Sequence, residues 1–529
     1  MGILKTTSAK GRGVNIRSCL AFAEASITSK LTYGAPATAN LDQNMIYQFD
    51  NPSQLATRHT MALKKALAIP NHVPNYVLLP EIGRLPLPSI LKARALNFAV
   101  RTIHSPNPHP LDKLLLQPQD TLHVEHIAVR NPPFSYNVKG PLEGLGVVKI
   151  DKKARQAALH LKFAGKISRE SLWEGKKEDH PPSHLKALTL ELIEKQVGDN
   201  TIVIYTDGSV YTDSNKAGAA AIIKHKGLCI EAMTGANPSA SSTEAEMVAL
   251  LLALKKCNDN TLDMTGIQNI NIYTDSKALT HLIETRYPRD HIELLGAIKT
   301  EAANLAAAKI QILVQWIPSH VDLSGNEAAD RAAKIASNLP NTSDFGRPKT
   351  HFRGQINKLC RAEFQEWALG KLRGSKNRLA EFYQLVNPEL KPQKHSHSIP
   401  RVLEQLVLFL RINSLSICPM IHTNYCAACD MVPFSTTHYL LECPSTTEVV
   451  KKLTKPMLPA NPSRRRLMEE AARSTQKLSK HPRLLHEIAS TCPPIVVCKC
   501  ESCPFFDIEY NAYPSSWKFS DISHFAGSQ

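Results

Sequence analysis

The sequence predicts an α/β fold, a five-stranded mixed sheet with flanking helices, set between a mostly helical N-terminal region and a largely helical C-terminal region. Between residues 199 and 337, short β-rich runs alternate with helical patterns in the order βββ-α-β-α-α-β-α, which indicates a mixed sheet. On both sides of that segment, apolar residues recur at helical spacing, with proline-rich stretches between them. With 43% hydrophobic and 21% charged residues, the composition excludes a wholly disordered chain.

Local patterns in the central segment predict each of its strands and helices. The five strands are short apolar or β-branched runs bounded by turn residues, at 201–205, 217–224, 228–233, 270–273 and 310–317. Lys226-Gly227 separates the second strand from the third and predicts a hairpin. The helices have polar starts and alanine- or leucine-rich bodies, and we expect them at 241–257, from 277, at 291–308 and from about 326.

Changes in composition divide the chain into six expected segments. They are a helical region at 1–104, a partly irregular connector at 105–198, the α/β domain at 199–337, a basic linker with a helix at 338–400, a helix with a Cys/His cluster at 401–450, and a basic, cysteine-containing, partly disordered tail at 451–529.

Charge is distributed unevenly along the chain. The formal net charge is +16, yet residues 201–337 hold 12 Lys or Arg against 15 Asp or Glu, so an acidic segment lies between basic flanks. Basic flanks favour nucleic acid as a partner. No apolar run is long enough to cross a bilayer, and no apolar signal core follows the N-terminus. We therefore expect no membrane partner and an intracellular protein, nuclear or cytoplasmic, that is not secreted.

Four acidic residues of the α/β domain are expected to converge. Asp207 and Asp275 follow the first and fourth predicted strands, Glu246 lies early in the helix after the hairpin, and Asp330 lies early in the last helix. Converging carboxylates either raise their pKa values or bind metal. Mg²⁺ or Mn²⁺ suits oxygen ligands, and two such ions suit an in-line phosphodiester displacement. His320, on the loop before the last helix, is placed to act as a general acid.

The motifs around these five residues resemble those of type 1 ribonuclease H. In chain order they are Tyr205-Thr-Asp207-Gly-Ser209, Thr243-Glu-Ala-Glu246-Met-Val-Ala249, Tyr273-Thr-Asp275-Ser276, and Trp316-Ile-Pro-Ser-His320 followed by Gly325-Asn-Glu-Ala-Ala-Asp330. The resemblance covers about residues 199–337. It implies an endoribonuclease that hydrolyses the RNA strand of RNA–DNA hybrids with two Mg²⁺ ions. The family's four acids fall on Asp207, Glu246, Asp275 and Asp330, and its mobile histidine on His320.

The same resemblance implies substrate contacts at Gly208, Ser209, Ser242 and Thr243. Many members have asparagine or glutamine shortly before the helical glutamate, where this chain has Ser242 and Thr243. Glu244 competes with Glu246 for the second acid, and we choose Glu246 because an apolar-x-Ala pattern follows it. The domain also lacks a basic, aromatic handle between Asp275 and Trp316, so affinity for a polyanion must come from the flanks or a partner.

Cys426-x₂-Cys429-x₈-His438-x₄-Cys443 has the spacing of a structural zinc site. We favour zinc over scattered buried cysteines, because so small a segment would need a metal to fold. The set resembles the CCHC zinc knuckle, and its last part is similar to the segment that follows ribonuclease H in retroelement polymerases. A second cysteine cluster, between Cys492 and Cys503, fits no metal-site spacing, and its role stays open.

The N-terminal region is similar to the helical thumb of non-LTR retrotransposon reverse transcriptases, through Thr32-Tyr33-Gly34 and the run from Ala66 to Pro70. The chain contains no Asp-Asp dipeptide, so polymerase activity is not expected. The first hypothesis is thus a metal-dependent ribonuclease H from such a reverse transcriptase. The alternative is a catalytically inactive, co-opted fragment that binds nucleic acid. A DNA nuclease or integrase of related fold is a third, less favoured reading.

Overall fold

The computed structural model of the chain describes residues 15–34, 54–67, 69–111, 115, 134–147, 152–238, 240–259, 261–286, 288–341, 345, 347–393, 401–413, 436–454 and 462–481. It divides into two compact units. The helical unit comprises Met1–Leu96, Ala128–Asn137 and Asn357–Gln529, and the sheet unit comprises Asn97–Ile127 and Val138–Ile356. No helix within these described ranges is both long enough and apolar enough to cross a membrane.

The described helices are, in chain order, α1 (Ile16–Ala23), α2 (Gln54–Ala66), α3 (Asn75–Glu81), α4 (Leu87–Ile103), α5 (Phe134–Gly144), α6 (Lys152–His160), α7 (Pro182–Gln196), α8 (Ser242–Asn258), α9 (Lys277–Glu284), α10 (Ile292–Ala307), α11 (Ser324–Ala336), α12 (Lys349–Gly374), α13 (Arg378–Val386), α14 (Arg401–Arg411), α15 (Pro444–Thr454) and α16 (Arg464–Leu478). A π-helical turn, Glu24–Thr28, continues α1 into Ser29–Leu31, and His438–Glu442 is also π-helical.

The sheet unit contains a mixed sheet, as predicted, but with six strands. They are β1 (Lys166–Ser168), β2 (Thr201–Tyr211), β3 (Lys216–His225), β4 (Leu228–Gly235), β5 (Asn269–Thr274) and β6 (Gln311–Trp316). Their order across the sheet is β1-β6-β5-β2-β3-β4. In the sheet, β1, β6, β5 and β2 run parallel to one another, whereas β3 is antiparallel to both of its neighbours, β2 and β4.

The predicted count of five strands is corrected by β1, a three-residue strand in the segment expected to be a connector. It pairs in parallel with β6, with Lys166 opposite Leu313. So short a parallel edge strand has no periodicity of its own and forms only where the rest of the sheet offers it an edge. The compact sheet unit accordingly begins well before residue 199. The predicted limits of the six segments themselves stay a prediction.

The strand β2 also differs from its prediction, because it continues through Asp207 and Gly208 to Tyr211 instead of ending at residue 205. Thr206-Asp207-Gly208-Ser209 has the composition of a turn. In the structure each of these residues has a partner on β3, with Asp207 opposite Ala220. Pairing with a neighbouring strand outweighs the local turn preference here. Asp207 therefore lies inside a strand, not after one.

Both faces of the central strands are buried. Apolar residues therefore follow one another along these strands instead of alternating with polar ones. On β2, Ile202 and Ile204 pack with α8, α9 and α10, while Tyr205 belongs to a second core with α7 and α11. On β3, Ala221 and Ile222 divide between the same two cores. Helices on both faces fix the strand positions from which the acidic residues project.

The helical unit has its own core, built from described parts of the first expected segment and of the three segments that follow the sheet domain. At its centre the carboxylate of Glu81, fully buried at the end of α3, pairs with the Arg411 guanidinium. The Tyr383 hydroxyl donates to the same carboxylate at 3.1 Å. Asn387 donates to it at 3.3 Å. Residues about 300 positions apart in sequence are thus tied by one buried polar network.

Candidate active site

Two aspartates are brought together by the parallel pairing of β2 and β5. Thr206 lies opposite Thr274 in that pair, so the residues that follow them, Asp207 and Asp275, are neighbours at one place on the sheet. The side chain of Asn326 donates to Asp275 Oδ2 at 3.4 Å. The backbone carbonyl of Asp275 accepts the Trp316 indole N–H at 3.1 Å, which fixes the chain as it leaves β5.

The third carboxylate comes from α8, which begins at Ser242 with the Ser241 hydroxyl as its N-cap. Glu246 points from the first turns of this helix toward β2. The helix can approach so closely because residue 208 is glycine: a Cβ atom there would lie 2.4 Å from the Glu246 backbone nitrogen. Carboxylate oxygens of Glu246, Asp207 and Asp275 all lie within 4.8 Å of one another.

The structure also distinguishes Glu244 from Glu246, the two candidates for the second acid of the site. Glu244 accepts a hydrogen bond from the Asn237 side chain at 2.9 Å and is not a member of the three-carboxylate group. Glu246 is a member, and its Oε2 atom is buried without a hydrogen-bond partner. A buried, unpaired carboxylate oxygen is costly unless something outside the protein chain satisfies it.

Burial and mutual repulsion shift the protonation of the group. Burial is the main cause that raises the pKa of Asp207 to about 7, and the charges of Asp275 and Asp330 add to it. Burial, followed by the charge of Asp207, raises the pKa of Glu246 well above its usual value. The pKa of Asp275 is raised as well, chiefly by burial, although Asn326 opposes the rise. Two buried acids and a half-buried third one that repel one another form a site suited to a cation.

Hard divalent cations fit this donor set. It consists of carboxylate oxygens, the ligands that Mg²⁺ and Mn²⁺ prefer. The unpaired Oε2 of Glu246 is a ligand atom with no competing partner among the described residues. Asp207, Glu246 and Asp275 are therefore the residues that could hold such an ion.

The fourth predicted acid, Asp330, lies at the rim of the group instead of inside it. Its carboxylate pairs with Lys334 one turn further along α11, at 2.6 Å, and both side chains are partly exposed. It is close enough for its charge to raise the pKa of Asp207 and Asp275. Its oxygens are not among the mutually close ones, so its place as the fourth metal ligand stays a prediction.

His320 is exposed on the loop between β6 and α11, in a left-handed backbone conformation with φ of 56°. Its charge lowers the pKa of Asp275, which places it on the same side of the site. The start of α11 packs closely against the Tyr205 ring. The approach needs glycine at residue 325, since a Cβ atom there would come within 2.3 Å of the ring. This close packing fixes the position at which the loop carrying His320 ends.

Of the predicted substrate contacts, Ser242 is exposed and Thr243 is half-buried at the start of α8. Gly208 and Ser209 are half-buried on β2. Sequence reasoning missed Asn326, whose place one residue after Gly325 in the last motif could have indicated it. It also missed Lys177, which lowers the pKa of Asp275 and lies in the segment expected to be a connector.

The predicted zinc ligands are only partly described. Cys426 and Cys429 lie outside the described residues, as does the cluster between Cys492 and Cys503. His438 and Cys443 are both buried in the helical unit, and the His438 side chain lies 3.6 Å from Glu442. The zinc site stays a prediction.

Comparison with known proteins gives one family match, to the RNase H family, over residues 199–338. Ribonuclease H of Paramagnetospirillum magneticum is 30% identical over 143 residues, which are 25% of this chain and 88% of that protein. Ribonuclease H of Rickettsia typhi is 27% identical over 149 residues, or 26% of this chain and 90% of that protein. The Gag-Pol polyprotein of Baboon endogenous virus is 30% identical over 164 residues, 28% of this chain but only 9% of the polyprotein.

The matched segment begins at β2 and ends just after α11, so it contains all five predicted catalytic residues. The predicted enzyme class, a ribonuclease H, is confirmed by the family match and by these relatives. Through residues 199–338, the chain belongs to the RNase H family.

Proposed function

We propose that this chain hydrolyses the RNA strand of RNA–DNA hybrids by a two-metal mechanism, with Asp207, Glu246, Asp275 and Asp330 as the acidic residues. The observation that carries the proposal is the group of three carboxylates within 4.8 Å, inside the segment that matches the RNase H family. Their raised pKa values and the unpaired Glu246 oxygen support a cation-binding role.

Asp207, Glu246 and Asp275 would hold the metal, and Asp330 would complete the set at the rim. When bound, two Mg²⁺ or Mn²⁺ ions supply a water of lowered pKa and stabilise negative charge on the leaving oxygen. The chain contributes rigidity: β2 and β5 fix the two aspartates, and Asn326 holds one oxygen of Asp275. Protonated ligands bind metal weakly, so the raised pKa values make metal binding depend on pH.

The remaining residues of the site have roles around the scissile phosphate. His320, exposed beside Asp275, would protonate the 3′-oxygen leaving group, which gives products with 5′-phosphate and 3′-hydroxyl ends. The hydroxyls of Ser209, Ser242 and Thr243 would meet the RNA strand, where a 2′-hydroxyl distinguishes RNA from DNA. Gly208 would contribute its backbone as a further contact with the hybrid.

The basic flanks would supply most of the affinity for the hybrid, because the segment from 201 to 337 is acidic. The match to a Gag-Pol polyprotein, although it covers only 9% of that protein, supports an origin in a retrotransposon reverse transcriptase. The predicted knuckle of Cys426, Cys429, His438 and Cys443 agrees with that origin.

The zinc part of the proposal has its own test. The purified full chain should contain about one zinc ion, and Cys426→Ser should lose it. The control is Cys229→Ser, which removes an exposed free thiol in the sheet unit and should keep the metal. A metal-free full chain purified without chelator would contradict the zinc site.

Cleavage of a labelled RNA–DNA hybrid by the full chain tests the main proposal, with Mg²⁺ and with chelator, beside duplex RNA and duplex DNA. We expect cutting of the hybrid's RNA strand alone, only with Mg²⁺, and its loss in Asp207→Asn and Asp275→Asn with hybrid binding kept. Binding of the hybrid without cutting would instead support a co-opted nucleic-acid-binding fragment. Residual cleavage unchanged in both variants would contradict the assigned site.

A further inference from the structure

A segment outside the family match is built against the loop that carries His320. Residues 166–198 precede the matched segment, yet β1 pairs with β6, the strand that leads into this loop. The Trp173 ring lies 5.8 Å from the Trp316 ring at the end of β6. The Gln315 side chain donates to the Glu170 backbone carbonyl at 3.0 Å. The N-terminal segment is thus anchored beside the histidine loop at several points.

The closest of these contacts is made by Lys177, in a short 3₁₀ turn eleven residues after the start of β1. Its ammonium donates to the backbone carbonyl of Ser319 at 2.7 Å. It also lies 3.1 Å from the Ser319 hydroxyl, to which it donates a second hydrogen bond. No salt bridge of Lys177 occurs among the described residues. Within that part of the chain, its ammonium is held by the two Ser319 oxygens.

The position of this contact matters because the carbonyl of Ser319 belongs to the peptide bond that precedes His320. His320 and Asp322 both have φ of 56°, a left-handed conformation that costs a residue with a side chain on the order of 1 kcal/mol or more. Such a conformation persists only where its surroundings hold it. Charge-assisted hydrogen bonds from a half-buried lysine to the preceding peptide are a suitable restraint.

We propose that Lys177 is a positioning residue for hybrid cleavage, which holds the Ser319–His320 peptide so that the His320 side chain stays directed at the scissile phosphate. The inference rests on the proposed function. It differs from the family's motifs because Lys177 lies 22 residues before the matched segment begins at residue 199. The loop that carries His320 then depends on residues that a shortened protein beginning at residue 199 would lack.

Kinetics of the full chain test this role. Lys177→Ala should lower kcat for the hybrid about 10-fold with little change in KM, and Lys177→Arg, which can donate to both Ser319 oxygens, should restore most of it. In a His320→Ala background, Lys177→Ala should cause no further loss, because the group that it positions is gone. Lys176→Ala removes the same charge from an exposed neighbour without this contact and should leave kcat unchanged.

Two kinetic results would overturn the inference. A rise in KM with unchanged kcat would mean that Lys177 contacts the hybrid directly. An equal loss of kcat in the presence and absence of the His320 side chain would mean a general structural role.

Hydrogen–deuterium exchange of the peptide 317–323 separates this inference from the proposed function, because it needs no activity. Exchange should accelerate in Lys177→Ala and not in Lys176→Ala, even if the chain cuts no hybrid. Unchanged exchange in Lys177→Ala would contradict the restraint on the loop, whether or not wild-type protein is active.

Discussion

Replacement of Asp207 by asparagine tests whether the carboxylate group destabilises the metal-free fold. Asp207 is only 8% exposed, and burial together with the charges of Asp275 and Asp330 raises its pKa from 3.8 to about 7. The folded protein therefore holds a proton on this group that the unfolded chain releases at lower pH. The contribution of Asp207 to the stability of the metal-free protein must therefore fall as pH rises from about 4 to about 7 and then level off.

The size of this effect follows from the same shift. At about 1.36 kcal/mol per pKa unit, a rise from 3.8 to about 7 corresponds to about 4 kcal/mol of lost stability above pH 7. Asp207→Asn keeps the shape of the side chain and removes the charge. In chelator at pH 8 we expect the variant to be more stable than wild type by as much as about 4 kcal/mol, an advantage that shrinks to below about 1 kcal/mol at pH 4.

Urea unfolding of the full chain at pH 4, 6 and 8 measures this difference, with Asp213→Asn, which removes an exposed carboxylate just after β2, as the control. Saturating Mg²⁺ at pH 8 should shrink the advantage of the variant, because the ion binds wild type and stabilises it by about 2.7 kcal/mol at a hundred times its Kd, while the variant gains little. If wild type and Asp207→Asn lose stability in parallel from pH 4 to 8 in chelator, the pKa of Asp207 is not raised and the reasoning fails.

Three further predictions follow from named contacts. Glu246→Gln should lower hybrid cleavage at least about 100-fold with hybrid binding kept, whereas Glu244→Gln, which changes a residue outside the carboxylate group, should cost much less; equal losses in a cleavage assay would contradict the choice of acid. Gly208→Ala should destabilise the sheet unit by about 1–3 kcal/mol and reduce cleavage, because the new methyl group meets the α8 backbone, while Gly198→Ala, whose Cβ would meet nothing closer than 3.8 Å, should be tolerated in thermal unfolding. Arg411→Met should destabilise the helical unit by about 3–5 kcal/mol, since it leaves a buried carboxylate on α3 unpaired; a loss below 1 kcal/mol in urea unfolding would argue against the buried pair.

The sequence could nominate the three acids that the structure brings together because they sit in short motifs with local signatures. Asp207 and Asp275 come directly after residues of predicted strands or close to them, and Glu246 lies early in a predicted helix; parallel neighbours of a sheet bring such strand positions together. The same local reasoning placed Asp330 near the group. It could not place that residue at the rim, because a pairing with Lys334 depends on side-chain geometry that spacing alone does not decide.

What only the tertiary structure decided depends on contacts between residues far apart in the chain. Residues 206–209 have the composition of a turn but form part of a strand, because they pair with β3. The three-residue strand β1 forms because it pairs with the edge of the sheet at β6. Lys177 has no motif, and its role comes from a contact 142 residues away. Local sequence determines which elements form and which residues could do chemistry. Packing determines which of them meet, because close contacts between distant segments leave no period or spacing in the sequence.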